Sequence, residues 1–145
     1  MIKKNKLLLL SIFIASFSYS QSYNIEGDWY TENNDAIIKI YKDGNTLSGK
    51  ITWMKTPNDE NGNPKTDPEN PDEKLKSRKR LGMIMMNNFS YDEEEQWDDG
   101  EIYDPESGNT YSGIITMTSK NKLDLRGYVG ISWFGRTSQW TRKTN

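Results

Sequence analysis

The stretch that decides the fold is Asp99–Arg142, which reads DGEIYDPESGNTYSGIITMTSKNKLDLRGYVGISWFGRTSQWTR. Bulky apolar residues alternate in it with polar or small ones, which is the period-two pattern of half-buried strands. Four strands are predicted, at residues 100–103, 111–117, 123–129 and 131–140. Short polar connections such as Ser119–Asn121 are typical of antiparallel hairpins. The stretch therefore predicts an antiparallel meander, which needs further strands to close it.

The alternation assigns side chains to the two faces of this meander. Tyr111, Ile115 and Met117 share one face. Leu123, Leu125 and Val129 continue that face on the next strand, so Arg126 is predicted to point outward. Glycine recurs inside these strands, and such glycines often mark bends or close backbone approach. A sheet that curls into a barrel is the expected result.

The upstream sequence supplies strands of the same kind. They are predicted at residues 25–31, 36–41, 47–53 and 81–86, with a strong turn signal at Asp43–Asn45 and Trp29 facing inward. No helix is predicted beyond a possible turn near Pro71. The count of about eight antiparallel strands predicts an all-β fold, an up-and-down β-barrel, with a sandwich as the alternative.

The N-terminus has the pattern of a cleaved secretory signal peptide. A basic start is followed by an apolar run at residues 7–17 and by Ser18-Tyr19-Ser20. The run is short for a membrane span, and the chain has no cysteine for lipoprotein attachment. We expect residues 1–20 to be removed, leaving one domain at 21–145 that is periplasmic or secreted and not stably inserted in a membrane. Loss of three lysines leaves 16 basic against 21 acidic residues, a net charge of −5.

The composition also restricts the function. An acidic exported domain is a poor candidate for nucleic-acid binding. The chain has no histidine and no cysteine, which removes the usual general base near neutral pH and the commonest metal ligands. No nucleophile or phosphate-loop motif is present, and a histidine-free enzyme would depend on a carboxylate such as Asp72 or Asp104. We expect no enzyme activity and no cofactor.

A long polar segment, residues 56–72, interrupts the strands and carries four of the five prolines. Loops of this length in compact domains are often functional or disordered. Residues 59–64 begin like a calcium loop, but Pro64 stands where an EF-hand needs glycine, so no metal site is predicted. Asn70 or Asp72 is expected to cap a turn or short helix. The basic run 74–80 is interpreted as a solvated charged segment that protects the neighbouring strand from edge pairing, or alternatively as a contact for a polyanion.

The chain contains a series of short motifs: Gly27-x-Trp29, Gly49-Lys50-Ile51-x-Trp53, Asp67-x-x-Asn70-Pro71-Asp72 with Arg78, Gly100-x-Ile102-Tyr103-Asp104-Pro105-x-x-Gly108, Arg126-Gly127-Tyr128, Phe134-Gly135-Arg136 and Trp140-x-Arg142. Together these motifs resemble the DUF2147 family of small exported bacterial proteins. The resemblance covers residues 27–142 and implies a lipocalin-like barrel, with no assigned reaction. Gly-x-Trp is similar to the lipocalin signature, which implies that Arg142 or Arg136 packs across Trp29.

Two groups of residues are candidates for a binding site. Trp53, Tyr111 and Trp133 could line a cavity, or else fill the core of a small barrel. Arg78, Arg126 and Arg136 could grip an anionic head group, or else form surface ion pairs.

From these observations we predict an exported protein of the bacterial envelope that binds a small apolar or amphipathic, lipid-like molecule. The alternative is a non-catalytic interaction or envelope-maintenance protein whose barrel is filled by side chains and whose segment 56–80 is a contact surface. The sequence does not distinguish these two functions, because inward and outward residues alternate in the same way in a filled barrel and in a hollow one.

Overall fold

The computed structural model describes residues 22–144, so the predicted signal segment lies outside the described residues. The strands are β1 (Gly27–Tyr30), β2 (Ala36–Asp43), β3 (Thr46–Met54), β4 (Ile84–Tyr91), β5 (Gln96–Asp104), β6 (Asn109–Ser119), β7 (Lys122–Tyr128) and β8 (Arg136–Arg142). Each is antiparallel to its neighbour in chain order, and β1 pairs with β8 to close the barrel. The predicted all-β, eight-stranded barrel is confirmed.

Some predicted strand limits were wrong. The last strand begins at Arg136 and not at Ile131, because Gly130 has a φ of 77° and Ser132–Phe134 forms a 3₁₀ turn. The strand predicted at 81–86 begins at Ile84 and runs on to Tyr91. A second 3₁₀ turn, Glu73–Leu75, is capped by the Asp72 carboxylate, which accepts a hydrogen bond from the Lys74 backbone N–H at 3.0 Å. That cap agrees with the prediction for this segment.

Large side chains fill the end of the barrel where the chain termini lie. Trp29, Phe89, Ile115 and Leu123 are fully buried there, and Trp140 is nearly so. Phe89 lies across Gly100 and Gly113, where a Cβ atom would come within 2.3 Å and 2.5 Å of the ring. These two glycines therefore make room for an aromatic ring inside the barrel, which is a more specific reason for them than strand bending.

Arg142 closes this end of the barrel. Its guanidinium carbon lies 4.2 Å from the centre of a Trp29 ring, and burial lowers the pKa of the group. The guanidinium also donates to the backbone carbonyls of Asn24, Glu26 and Lys120. The expected contact between Trp29 and an arginine is confirmed, with Arg142 as the partner. It fastens the N-terminal segment and the β6–β7 turn across the barrel end.

Candidate functional site

The opposite end of the barrel is open and holds a cavity of about 560 Å³. Its apolar wall includes Ile102, Tyr111, Leu125, Gly127 and Trp140. These residues lie on strands β5 to β8. They share the inward face of those strands with the buried core residues, because side chains alternate between the two faces of a strand. Trp140 is 3% exposed and belongs to the core cluster, so the filled half of the barrel forms the cavity floor.

The mouth of the cavity carries four charged side chains: Glu32, Asp35, Asp104 and Arg136. Arg136 donates to Glu32 across 3.2 Å, and both are substantially exposed. The Asp35 carboxylate accepts a hydrogen bond from the Thr31 hydroxyl. Asp104 accepts hydrogen bonds from the Glu106 backbone N–H at 2.9 Å and the Ser107 hydroxyl at 2.7 Å. The charged mouth above an apolar wall gives the cavity an amphipathic character.

The loop between β7 and β8 forms one side of the mouth and exposes large apolar side chains. Phe134 lines the cavity and is 82% exposed, while the neighbouring Trp133 is 87% exposed. Arg126 holds this loop from the outer face of the barrel. Its guanidinium donates to the carbonyls of Ser132 at 2.6 Å and Trp133 at 3.1 Å, and to the Thr137 hydroxyl at 2.8 Å.

The long connection between β3 and β4, residues 55–83, packs against the outside of the barrel. None of its residues lines the cavity, although all of them are described. The connection is fastened by Asp67, whose side chain is fully buried. Asp67 accepts hydrogen bonds from the Tyr103 hydroxyl at 2.7 Å, the Asn70 amide at 2.8 Å and the Arg78 guanidinium at 2.9 Å. We call Asp67, Asn70, Arg78 and Tyr103 the clasp.

The contacts of the clasp shift the pKa values of Asp67 and Tyr103. Burial opposes ionisation of Asp67, but the hydrogen bonds from Tyr103, Asn70 and Arg78 outweigh it, so the pKa of Asp67 lies below its ordinary value. Burial, together with the neighbouring Asp67, raises the pKa of the Tyr103 hydroxyl. Asp67 is therefore a carboxylate whose hydrogen-bonding capacity is used within the fold.

A second contact fastens the same connection to the turn between β5 and β6. Arg80 is 8% exposed and donates to the Thr66 carbonyl at 2.7 Å, the Pro105 carbonyl at 3.1 Å and the Glu106 carboxylate. Gly108 in that turn has a φ of 73°, and a Cβ atom there would lie 2.0 Å from the Glu69 carbonyl oxygen. Arg80 of the basic run 74–80 therefore pairs with an acidic group at the open end, Glu106.

The structure separates the predicted site residues. Tyr111 and Arg136 line the cavity, and Trp133 lies on the loop beside it. Trp53 does not line it, because an extra residue in β3 between Ile51 and Trp53 turns the indole outward, where it packs edge-on against Tyr30. Arg78 belongs to the clasp, and Arg126 points outward, as its strand position predicts.

Sequence reasoning did not select Glu32, Asp35 and Phe134 as cavity residues. Asp35 and Glu32 lie in a polar turn, and nothing in their spacing shows that this turn borders the cavity mouth. Phe134 was placed within a predicted strand, where its relation to the mouth could not be seen. Knowing the barrel topology would have identified all three as residues of open-end loops.

Within residues 22–144, no group of three or more aspartate or glutamate side chains is arranged to hold a metal ion. In that range no helix has the length and apolar character of a membrane span. Burial and the neighbouring Asp92 and Asp99 raise the pKa of Asp98, but Asp98 lies near the closed end and does not border the cavity.

A closed eight-stranded barrel, with an arginine over a tryptophan at one end and a cavity at the other, defines a lipocalin-like protein. The chain belongs to the family described as "uncharacterized protein conserved in bacteria (DUF2147)", which matches residues 27–142. A similar solved structure is protein HP1028 from Helicobacter pylori, described as belonging to the lipocalin family. It is 18% identical over 86% of each chain, with a TM-score of 0.74, a likeness that shows the fold. No curated protein sequence matches the chain.

Proposed function

We propose that this protein is an exported, non-catalytic carrier that binds one small amphipathic molecule in the open half of its barrel. The observation that carries the proposal is the cavity of about 560 Å³, with an apolar wall and a charged mouth. Small-molecule sites are concave, roughly 300–1,000 Å³ in volume and mostly apolar with a few polar groups. A barrel of eight strands has an interior that can hold one such ligand.

The division of the barrel into two halves supports this function over a side-chain-filled barrel. The closed half is packed around Phe89 and Trp29, and filling there maintains the fold. The open half contains Gly127 and Ser138 at inward positions. These small residues leave space inside the barrel that larger side chains at the same positions would fill. A ligand with an apolar body would remove the exposed apolar wall from water.

The proposed export depends on residues 1–20, whose pattern is that of a secretory signal. We expect the mature chain to begin at Gln21 and to be recovered from the periplasm or the medium. N-terminal sequencing of the protein from fractionated cells tests this. An intact Met1 on protein found in the cytoplasm would contradict export without affecting the binding proposal.

Native mass spectrometry of the mature protein, purified gently from its own cells, tests ligand binding. We expect a reproducible extra mass that is lost on denaturation. Gly127→Phe should abolish it, because a Cβ at this position has ordinary contacts of 3.6 Å and 3.7 Å and the ring would extend into the cavity. Ser112→Phe is the matched control, since Ser112 is an exposed residue of the neighbouring strand β6.

The outcomes separate the alternatives. An adduct on the wild type and on Ser112→Phe, but not on Gly127→Phe, places the ligand in the barrel. An adduct that Gly127→Phe retains would contradict binding in this cavity. An adduct-free mass, even after incubation with a lipid extract, would favour an interaction role for the barrel.

A further inference from the structure

We infer that the bound molecule carries a cationic head group, an amine or a quaternary ammonium, on an apolar body. The inference rests on the proposed function and adds the chemical class of the ligand. A cationic head group is opposite in charge to the anionic head group that the arginines in the sequence predicted. The inference follows from the net charge at the cavity mouth, the positions of the charged residues around the barrel and the aromatic residues of the cavity wall.

The charge balance at the mouth is negative. Three carboxylates and one guanidinium line it, a net charge of −2, and the guanidinium of Arg136 is already paired with Glu32. Asp35 and Asp104 accept hydrogen bonds from uncharged donors, namely two hydroxyls and a backbone N–H. No lysine and no second arginine lines the cavity within the described chain. No cationic side chain of the described chain therefore forms an ion pair with Asp35 or Asp104.

These carboxylates border the opening on different sides. Asp35 directly precedes β2, and Asp104 ends β5. In a closed barrel of eight strands in chain order, β2 and β5 are three strands apart, so the two carboxylates lie on separate parts of the rim. A cation at the centre of the mouth would be attracted from both sides, whereas an anion there would be repelled from both.

Aromatic rings supply the second feature that favours a cation. Four aromatic residues line the cavity: Tyr111, Tyr128, Phe134 and Trp140. Two of them, Tyr128 and Phe134, lie at the open end of the barrel. Aromatic faces attract cations, and recognition of quaternary ammonium groups characteristically combines several such rings. An alkyl chain can pack on the same rings, so the lining accommodates both parts of an amphipathic cation.

The three arginines predicted to bind an anionic head group already have partners in the fold. Arg78 is bound to the buried Asp67, and Arg126 holds the carbonyls of Ser132 and Trp133. Arg136 remains at the mouth, where the carboxylate of Glu32 already offsets its positive charge. An anionic ligand would therefore gain less from Arg136 than from an unpaired arginine.

The test compares two probes with the same apolar body, dodecyltrimethylammonium and dodecanoate, below their micelle concentrations. Isothermal titration of the mature wild type at neutral pH and low ionic strength should show the cation binding about tenfold more tightly. The preference should shrink in added salt, which screens exposed charges, while binding itself persists. Equal or tighter binding of dodecanoate would overturn the inference.

Charge-neutral variants identify the source of the preference. The double variant Asp35→Asn, Asp104→Asn should lower the preference to about threefold or less, because asparagine keeps the size of the side chain and one acceptor oxygen but removes its charge. Glu101→Gln is the control, since it removes an exposed carboxylate of β5 that does not line the cavity. A preference unchanged in the folded double variant, verified by circular dichroism, would contradict the role of these carboxylates.

The same experiment separates the two proposals. If neither probe binds to the wild type, the cavity does not hold alkyl amphiphiles and the proposed function fails with its extension. If dodecanoate binds at least as tightly as the cation and Gly127→Phe prevents its binding, the binding function stands and the cationic specificity is wrong.

Discussion

Asn70, Arg78 and Tyr103 all donate hydrogen bonds to the Asp67 carboxylate on the outside of the barrel. The motif Asp67-x-x-Asn70 with Arg78, which contributed to the family resemblance, therefore serves the fold. A fully buried carboxylate needs hydrogen-bond donors to remain ionised, and the clasp supplies three. In return, the clasp fixes the long β3–β4 connection beside the open end without covering it.

Replacing Asp67 with asparagine tests the clasp. We expect Asp67→Asn to lower the free energy of unfolding by about 2–3 kcal/mol, because asparagine has one acceptor oxygen where the two carboxylate oxygens accept from Tyr103, Asn70 and Arg78, and it lacks the negative charge that pairs with Arg78. Urea denaturation measures this loss. Glu73→Gln, which removes only the exposed partner of Lys76, should have no measurable effect. Equal stability of Asp67→Asn and wild type would show that the clasp contributes nothing to the fold.

The lowered pKa of Asp67 also predicts a pH dependence. The unfolded chain, with an aspartate pKa near 3.8, binds a proton more readily than the folded chain does. The contribution of Asp67 to stability is therefore fully present above about pH 4 and is lost as the pH falls through the folded-state pKa. The stability difference between wild type and Asp67→Asn should narrow below that pH in urea titrations. A difference that widened in acid would contradict the assignment.

Arg142 gives a second prediction at this scale. Its guanidinium contacts Trp29 and donates to three backbone carbonyls, which a lysine ammonium cannot reproduce with its single nitrogen. We expect Arg142→Lys to destabilise the protein by about 1–3 kcal/mol in thermal or urea unfolding. Arg136→Lys, at an exposed pair, should change stability much less. If both variants unfolded alike, closure by Arg142 would not be a stabilising feature.

At the scale of strands and loops, the sequence predicted the pairing order and most of the inward residues. The meander from β5 to β8 carries a clear alternation, and Tyr111, Ile115 and Leu125 lie where it placed them. The errors have local causes. One extra residue in β3 reversed the direction of Trp53. The positive φ at Gly130 and the 3₁₀ turn Ser132–Phe134 delay the start of β8 to Arg136, so the aromatic pair 133–134 lies in a loop and not in the predicted strand. A single-residue bulge leaves no pattern in hydrophobicity, so such features are not evident from alternation alone.

The β7–β8 loop allows neighbouring side chains to be compared. Phe134 lines the cavity, whereas Trp133 does not. We therefore expect Phe134→Ala to weaken binding of dodecyltrimethylammonium about tenfold and Trp133→Ala to leave it nearly unchanged. Both residues are more than four-fifths exposed, so neither variant should lose much stability. Calorimetric titration of both provides the test. Weaker binding by Trp133→Ala alone would place the ligand outside the cavity.

The whole molecule combines a packed half and an empty half within one closed sheet. The sequence could not show this division, because it depends on how far Phe89 and Trp140 reach across the barrel. The sequence could not show the sign of the charge at the cavity mouth either. Glu32 and Asp35 lie in the β1–β2 loop and Asp104 ends β5, and only the closed barrel brings these residues to one end. These are properties of the assembled fold, whereas strand order and glycine positions are properties of the chain.

The packed floor predicts how binding depends on ligand length. In a series of alkyltrimethylammonium ions, each added methylene should tighten binding about fourfold, the equivalent of about 0.8 kcal/mol, for as long as it enters the cavity. Once the chain reaches the floor at Trp140, further methylenes should remain in water and the affinity should level off. Leu125→Phe, which enlarges an inward wall residue, should move this plateau to a shorter chain, while Thr110→Ser at an exposed position of β6 should not. An affinity that rose without a plateau, or a plateau that Leu125→Phe did not shift, would mean that the alkyl chain lies along the outer surface of the barrel.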